Sequence, residues 1–475
     1  MIIYIFLFST LAWALITFLV RNKIVSHALV FSYVGIMGLL AIYMLQHAGE
    51  VVNEFFSSDR LGLIFYCVLL IVSLISVIHY ISYVNKRNVP VKTVAVHNAG
   101  TILFSGAITG VLFTTHFGIL WAFMEATTIG ASVLIYHDRN PDSLEATWKY
   151  LYVCSIGIAI AFAGILFLGF AAQETGHVEF SFESVKNMAA NMNPVWLKAC
   201  FLLVVTGFSV KMGLVPLFNV DIDAKDASPS QVGASLSSVL MNAGFVAIYR
   251  FYEAFSGTTL LHWMNNVLMI TGMVSLFFAA AYILKVKNIK RLFAYSSMEH
   301  AALVMIAFAC GGLGYFAAVL HLIMHALVKS SLFFQVSQLH SIFNSKWDDR
   351  IGSYLRVNPL GGLVMLLGFL SIIAMPPSGM LISELMMFQS LIANDYWILA
   401  AIVLILVLVI IYGLAVKMLG MIFLKKQDTN INLQGTVNWE SLIQLTMIIL
   451  VFYIGLFRPL ILVDNIKAAI QSLPL

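Results

Sequence analysis

Hydrophobic residues in this chain of 475 residues run in long blocks, without the alternation of a half-buried strand or the helical spacing of an element with one wet face. Blocks of about 20 apolar residues are long enough to cross the hydrocarbon core of a bilayer as helices. Fourteen are legible: 1–20, 27–46, 61–84, 94–114, 117–136, 148–171, 195–217, 233–256, 264–284, 292–310, 314–340, 359–391, 396–424 and 440–460. The pattern predicts an all-α polytopic membrane protein of about 14 transmembrane helices, called spans one to fourteen below. The longest polar loop, about 172–193, is too short to fold as a soluble domain. Span one runs into Arg21 and Lys23 with neither a basic leader nor a small-residue cleavage site, which predicts a retained helix and not a signal peptide.

Composition sharpens this. The chain is 61% hydrophobic and only 10% charged, against roughly 25% charged in an average soluble domain, so a water-soluble enzyme is excluded. A net charge of +4, scattered in short clusters, gives a nucleic-acid partner no electrostatic support. Cys67, Cys154, Cys200 and Cys310 lie far apart with no C-x-x-C pair, which argues against a disulfide framework, a zinc site or an iron–sulfur cluster. No nucleophile-and-base set and no phosphate loop occurs. The expectation is a chain without cofactor, metal or catalytic centre, whose transport is driven by an ion gradient or by chemistry in other subunits. Lys and Arg number 17 in the loops and helix ends after odd-numbered spans, against 4 (Arg60, Lys186, Lys198 and Arg250) in the loops and helix ends between spans on the opposite side. By the positive-inside rule the odd loops face the cytoplasm and both termini face outward across the cytoplasmic (inner) membrane.

Two spans contain helix-breaking sequence at membrane depth. Span seven carries Lys211 ahead of Pro216, and span twelve carries Pro376, Pro377 and Gly379 ahead of Glu384. Proline removes a backbone donor and clashes with the preceding turn, so such backbone must be buried in protein or line a wet cavity. Paired broken helices in two halves are a transporter signature. Lys211 to Glu384 is 173 residues and Glu125 to Glu299 is 174. Five spans separate each pair, so a second copy would sit inverted. The organisation expected is an N-terminal three-helix segment (1–93), a first five-helix inverted repeat (94–256), a second (257–424) and a C-terminal helix (425–475).

Charged groups in lipid cost about 2.5 to 3.5 kcal/mol or more on insertion scales, which makes each one a functional candidate. Span five offers Glu125, span seven Lys211, span ten Glu299 and His300, and span twelve Glu384. Span eleven carries His321, His325 and Lys329 at i, i+4 and i+8, nearly on one helix face. Simpler readings stand beside these. Glu125 and Lys211 would serve equally as a structural buried ion pair, Lys329 and Glu384 as groups snorkelling toward an interface, and His79 and His97 as packing residues. His321 and His325 alone offer a metal or haem only two ligands. A Lys–Glu pair at about 4 Å is worth roughly 4 kcal/mol at an effective dielectric of about 20. Moving one charge through about 150 to 200 mV costs a comparable 3.5 to 4.6 kcal/mol or so. Making or breaking one such pair is therefore enough to load or eject a proton. The hydroxyls of Ser209, Thr127, Thr128, Ser330 and Ser331 complete the equipment of a relay.

The segment KMGLVPLFNVDIDAKDASPSQVGASLSSVLMNAGFVAIYRF resembles the signature of the antiporter-like subunits shared by respiratory complex I, Mrp-type cation/proton antiporters and membrane-bound hydrogenases. NIKRLFAYSSMEHAALV, HLIMHALVKSSLFF and AMPPSGMLISELMMF resemble further signatures of that superfamily, in the same order, over about residues 95–425. The wording is most similar to hydrogenase-4 component F. The resemblance implies fourteen helices, two inverted five-helix units and two half-channels joined by a polar axis. It makes Glu125 the helix-five glutamate and Lys211 the helix-seven lysine it pairs with, and matches His321, His325 and Lys329 to helix eleven and Glu384 to the terminal acid of helix twelve. Where many complex I subunits carry a helix-eight lysine, this chain has Asn242, which cannot hold a proton. The extended C-terminal lateral helix of the largest complex I subunit is expected to be absent. The function implied is a membrane subunit translocating protons, or Na+, in a hydrogenase-4-like or complex I-related oxidoreductase complex. Its partners would be the lipid bilayer and the other membrane and peripheral subunits. The alternative is an Mrp-type antiporter or carrier subunit without a redox partner, and a third reading is a packing scaffold that does not transport.

Overall fold

The computed structural model describes residues 2–173, 179–425 and 438–474. Among the described residues, thirteen helices are long and apolar enough to cross a membrane, and two shorter apolar helices, Pro359–Ile372 and Gly379–Ala393, together make span twelve. The expected count of about fourteen spans therefore holds. One small departure from an all-α chain is a hairpin between spans two and three, β1 (Val51–Asn53) and β2 (Phe56–Ser57), paired with Val51 opposite Ser57 and Asn53 opposite Phe56. Two residue pairs are too few to mark a strand by alternation.

Several helix starts follow one local rule. At spans six, seven and twelve an Asn precedes a Pro: Asn140–Pro141, Asn193–Pro194 and Asn358–Pro359. Each Asn side chain accepts a hydrogen bond from a first-turn N–H. The proline occupies the position where its missing N–H has no helical partner to lose.

Burial sorts the spans into layers. Span ten (Ile289–Cys310) is buried along its length, and span eight (Ser230–Phe255) and span eleven (Leu313–Phe343) nearly so. Span one (Ile2–Leu19) and span thirteen (Trp397–Phe423) are mostly exposed on the outside of the bundle. Two of these three innermost helices, spans ten and eleven, carry Glu299, His300, His321, His325 and Lys329, because polar groups must find partners inside protein once water is excluded. Spans nine, eleven and the second half of twelve pack directly on span ten.

Span seven ends its first half, Pro194–Met212, on Gly213, whose φ of 69° is the left-handed conformation glycine adopts without strain. The chain passes the cis peptide Val215–Pro216 and resumes as Asn219–Ala227. The freed Val215 N–H donates to Ser275 Oγ of span nine at 3.1 Å, so the break at Pro216 is satisfied by a neighbouring helix. Span twelve breaks between Ile372 and Gly379 around the cis Pro376–Pro377 bond, and Ser378 caps the second half through Met380 N–H. Gly379 therefore opens the second half-helix and does not itself end the first.

Ion pairs gather the loops at the two ends of the bundle. At one end Asp223 meets Lys149 (3.7 Å) and Arg291 (2.6 Å), and Asp226 meets Arg291 (2.7 Å) and Lys346 (3.1 Å). Those residues come from the loops or helix ends that follow spans five, seven, nine and eleven. At the other end Arg250 meets Asp59 at 2.6 Å and Lys186 meets Glu253 at 3.3 Å, joining the segments that follow spans two, six and eight. Odd and even loops thus separate as the charge alternation requires. Lys426, one of the residues in that alternation, lies outside the described residues.

Candidate functional site

Glu125 stands on span five (Phe117–Ile135) with its carboxylate half-buried. Its Oε1 accepts a hydrogen bond from Ser155 Oγ at 2.6 Å, and its Oε2 lies 3.4 Å from Thr128 Oγ1. Lys211, on the last turn before the break in span seven, is buried and donates from Nζ to the same Thr128 Oγ1 at 2.6 Å. The glutamate and the lysine are therefore joined through a threonine hydroxyl and do not touch, a departure from a direct ion pair. Lys211 Nζ also sits 5.6 Å from the centre of the Tyr150 ring, an attractive placement for an ammonium. Gly244 of span eight lets that helix approach, since a Cβ there would lie 3.1 Å from Lys211 Cβ.

The second cluster is built on spans ten, eleven and twelve. Glu299 and His300 lie in the middle of span ten, deeper than a turn or two from its start, and both are buried. His321, His325 and Lys329 point inward together from span eleven, each with no exposed surface. His321 Nε2 lies 3.1 Å from His300 Nδ1, and its Nδ1 lies 2.9 Å from Ser383 Oγ. Ser383 donates its own proton to Met380 O at 2.9 Å. Neutral imidazole has one donor and one acceptor nitrogen, so His321 Nδ1–H donates to Ser383 and its Nε2 accepts from His300 Nδ1–H. The His325 ring centre is 5.1 Å from that of His300. Glu384, on the second half of span twelve, has Oε1 4.0 Å from His300 Nδ1. Lys329 Nζ donates to Phe293 O at 3.1 Å. A fully buried Lys329 does not snorkel, and Glu384 is nearly buried as well.

These residues form one buried cluster: Glu384, His300 and His321 lie together, the His325 ring lies beside that of His300, and Lys329 is within electrostatic range of Glu299, His300 and His325. Several polar atoms in it, including Glu299 Oε2, His300 Nε2 and both nitrogens of His325, have no hydrogen-bond partner among the described residues. One nitrogen each of His300 and His321 and a Glu384 oxygen lie within 4.8 Å of one another. His325 is not among them: the three come one each from spans ten, eleven and twelve, and the hydrogen-bonded imidazole pair already accounts for the spacing.

Of the hydroxyls expected near the ionisable groups, only Thr128 meets one of them. Ser209 and Thr127 donate to carbonyls of their own helices, Ser331 to Gln444 O, and Ser330 Oγ has no partner among the described residues. His79 stacks on Phe334 with ring centres 4.4 Å apart and His97 on Tyr80 at 3.6 Å, which makes both packing residues. Asn242 is buried, and neither of its side-chain polar atoms has a partner among the described residues.

Three charged residues escaped the sequence reading. Lys225, counted there as a loop residue, is buried on the second half of span seven and forms an i,i+4 ion pair with Asp221, also buried. The spacing D-I-D-A-K was the available signal, masked because the segment reads as a polar loop after the proline. Glu440, at the start of span fourteen (Asn438–Phe457), is buried and accepts from Ser82, from Lys86 at 3.2 Å and from Gln338 at 2.8 Å. It ties spans three, eleven and fourteen together.

The sequence profile described as NADH:quinone oxidoreductase/Mrp antiporter, transmembrane, matches residues 114–411. A hydrogenase-4 component F homolog of Methylacidiphilum infernorum is 31% identical over 288 residues, 60% of this chain and 60% of that protein. The NADH-quinone oxidoreductase subunit N of Chlorobium chlorochromatii is 26% identical over 379 residues, 77% of this chain and 73% of that one. The match to the first of these relatives thus spans less than two thirds of its length. Among solved structures, a chain of the archaeal membrane-bound sulfane sulfur reductase superposes with a TM-score of 0.86 at 20% identity, over 99% of this chain and 96% of that one. A chain of the Mrp complex from Dietzia sp. DQ12-45-1b superposes with a TM-score of 0.83 at 13% identity, over 99% and 96%. At these identities the structural likeness concerns the fold.

Proposed function

The chain belongs to the NADH:quinone oxidoreductase/Mrp antiporter transmembrane family, and from that premise we propose that it is the proton-translocating subunit of a hydrogenase-4-like or complex I-related energy-converting complex. Na+ is the ion to be distinguished from H+. The observation that carries the reading is the set of ionisable groups on otherwise apolar helices, half-buried Glu125 with buried Lys211 on one side and buried Glu299, His300, His321, His325, Lys329 and Glu384 on the other. In this reading residues 94–256 and 257–424 act as two inverted units, and the chain lies in the inner membrane with odd loops inside and both termini outside.

Lys211 takes a proton from one side. Its ammonium is held by Thr128, with the Glu125 carboxylate one hydroxyl beyond. Chemistry in partner subunits that draws Glu125 away weakens the hold on that proton, by an energy of the order of one charge crossing the membrane potential. The proton then passes by way of Lys329 and the imidazole chain to Glu384, where His300 and His321 alternate as donor and acceptor.

Lys211→Ala and Glu125→Gln in the intact complex, reconstituted in vesicles, are expected to abolish or strongly reduce proton pumping while electron transfer continues. Unchanged pumping would defeat the proposal. The second reading, an Mrp-type antiporter or carrier subunit with no redox partner, is favoured by 25% identity over 337 residues to a Na(+)/H(+) antiporter subunit A1 of Staphylococcus aureus. The two separate on which subunits copurify with the native protein, a nickel–iron hydrogenase large subunit or other antiporter subunits.

A further inference from the structure

The two clusters of ionisable groups sit on different helices, and the short half-helix Asn219–Ala227 lies between them, packed against spans six and ten. Asp221 reaches the first cluster: a Cβ at Gly213, two residues after Lys211, would fall 2.6 Å from Asp221 Oδ2. Asp221 also lies within electrostatic range of Tyr150, the ring beside which the Lys211 ammonium rests. Lys225 reaches the second cluster. Its carbonyl lies 3.6 Å from the Cβ position of Gly233, which in turn is 2.9 Å from Phe333, one turn beyond Lys329. Lys225 is within electrostatic range of both His325 and Lys329.

The surroundings fit a proton path better than a structural staple. Ser228 and Gln231, just beyond Lys225, and Ser330, next to Lys329, carry buried polar atoms without partners among the described residues, the kind of site that ordered water occupies. Span eight contains a π-helical stretch, Leu236–Leu240, packed against span eleven, a rare geometry that concentrates at functional sites. Two residues of the same half-helix, Asp223 and Asp226, line a polar cavity of about 490 Å³ at the end of the bundle where the odd loops meet.

We propose that the buried Asp221–Lys225 pair is the connecting relay that carries protons between the two clusters, the part Asn242 cannot play. The inference rests on the proton-translocating reading above. In each transfer one N–H bond of Lys225 breaks and one O–H or N–H bond forms on a bridging water or on the next group toward Lys329. Asp221, protonated from the Lys211 side, returns a proton to the Lys225 amine, and no redox change is involved.

A relay and a structural ion pair respond oppositely to two substitutions. Arginine keeps the charge and the pairing with Asp221 but does not release its proton, whereas histidine exchanges protons readily. In the intact complex in vesicles, with proton uptake normalised to assembled complex, Lys225→Arg is expected to lower transport by roughly tenfold or more. Lys225→His is expected to restore transport well above the Lys225→Arg level. Full transport by Lys225→Arg overturns the relay, as does an assembled Lys225→His complex that transports no better than Lys225→Arg or, if Lys225→Arg fails to assemble, does not transport at all. Lys211→Ala in the same preparation separates the two ideas. If it transports normally, the proton-translocating reading itself fails; if it is blocked while Lys225→Arg transports fully, only the relay fails.

Discussion

Thr128 accepts a hydrogen bond from Lys211 at 2.6 Å and faces Glu125 at 3.4 Å, so a single hydroxyl sets how strongly the carboxylate holds the lysine's proton. Replacing it by an isosteric methyl leaves a buried ammonium short of an acceptor, at a cost of about 1–3 kcal/mol. Thr128→Val is therefore expected to lower the rate of proton uptake in vesicles and the melting temperature of the purified complex, and Thr128→Ser to recover both. Wild-type uptake by Thr128→Val would remove the hydroxyl from the path. Glu125, Lys211, His300, His321, His325, Lys329 and Glu384 were legible as candidates because ionisable groups are costly in lipid whatever their neighbours. Thr128 was legible only as one hydroxyl among five. Distinguishing it from Thr127 requires knowing which way a side chain points, and Thr127 turns back to its own helix at Met124 O.

At the scale of elements, spans twelve and fourteen cross where two glycines meet. A Cβ on Gly455 would lie 2.4 Å from the Cα of Gly379, and one on Gly379 would lie 2.9 Å from Val451 O. Backbone stands on both sides of this contact, so no side chain can swing away to make room. Gly455→Ala is expected to destabilise the protein by about 1–3 kcal/mol through overpacking, read as a lower melting temperature in detergent. Gly38→Ala, in span two with nothing within 4 Å of the new Cβ, is expected to leave it unchanged or raise it through better helix propensity. Equal melting temperatures for the two variants would show that the crossing is looser than its geometry implies. The double proline marked this region from sequence, but the partner of the break lies some seventy residues away and was invisible. The half-helix after Pro216 was read as a loop for a related reason. Its polar residues are buried against other spans, and burial against distant chain has no local signature.

For the whole molecule, Asp226 is the point where the loops of one end are joined. It accepts from Arg291 Nε and Asn288 Nδ2, each at 2.7 Å, and from Lys346 Nζ at 3.1 Å, while Lys290 holds the Asp226 carbonyl at 3.1 Å. Asp226→Ala leaves these cations without their shared acceptor and is expected to cost about 1–3 kcal/mol, seen as a lower melting temperature that Asp226→Glu partly restores. No change would mean that the loops are held by apolar packing alone. Membrane class, span number and the alternation of charged ends were determined by the sequence itself, because the thickness of the bilayer and the cost of placing charge in it act on each stretch of chain separately. Which helices lie at the centre, how Thr128 links Glu125 to Lys211, the imidazole chain from His300 to Ser383 and the burial of Asp221 with Lys225 were decided only by tertiary structure. Each depends on the approach of side chains from helices far apart in sequence, and a hydrogen bond exists or fails over a few tenths of an ångström.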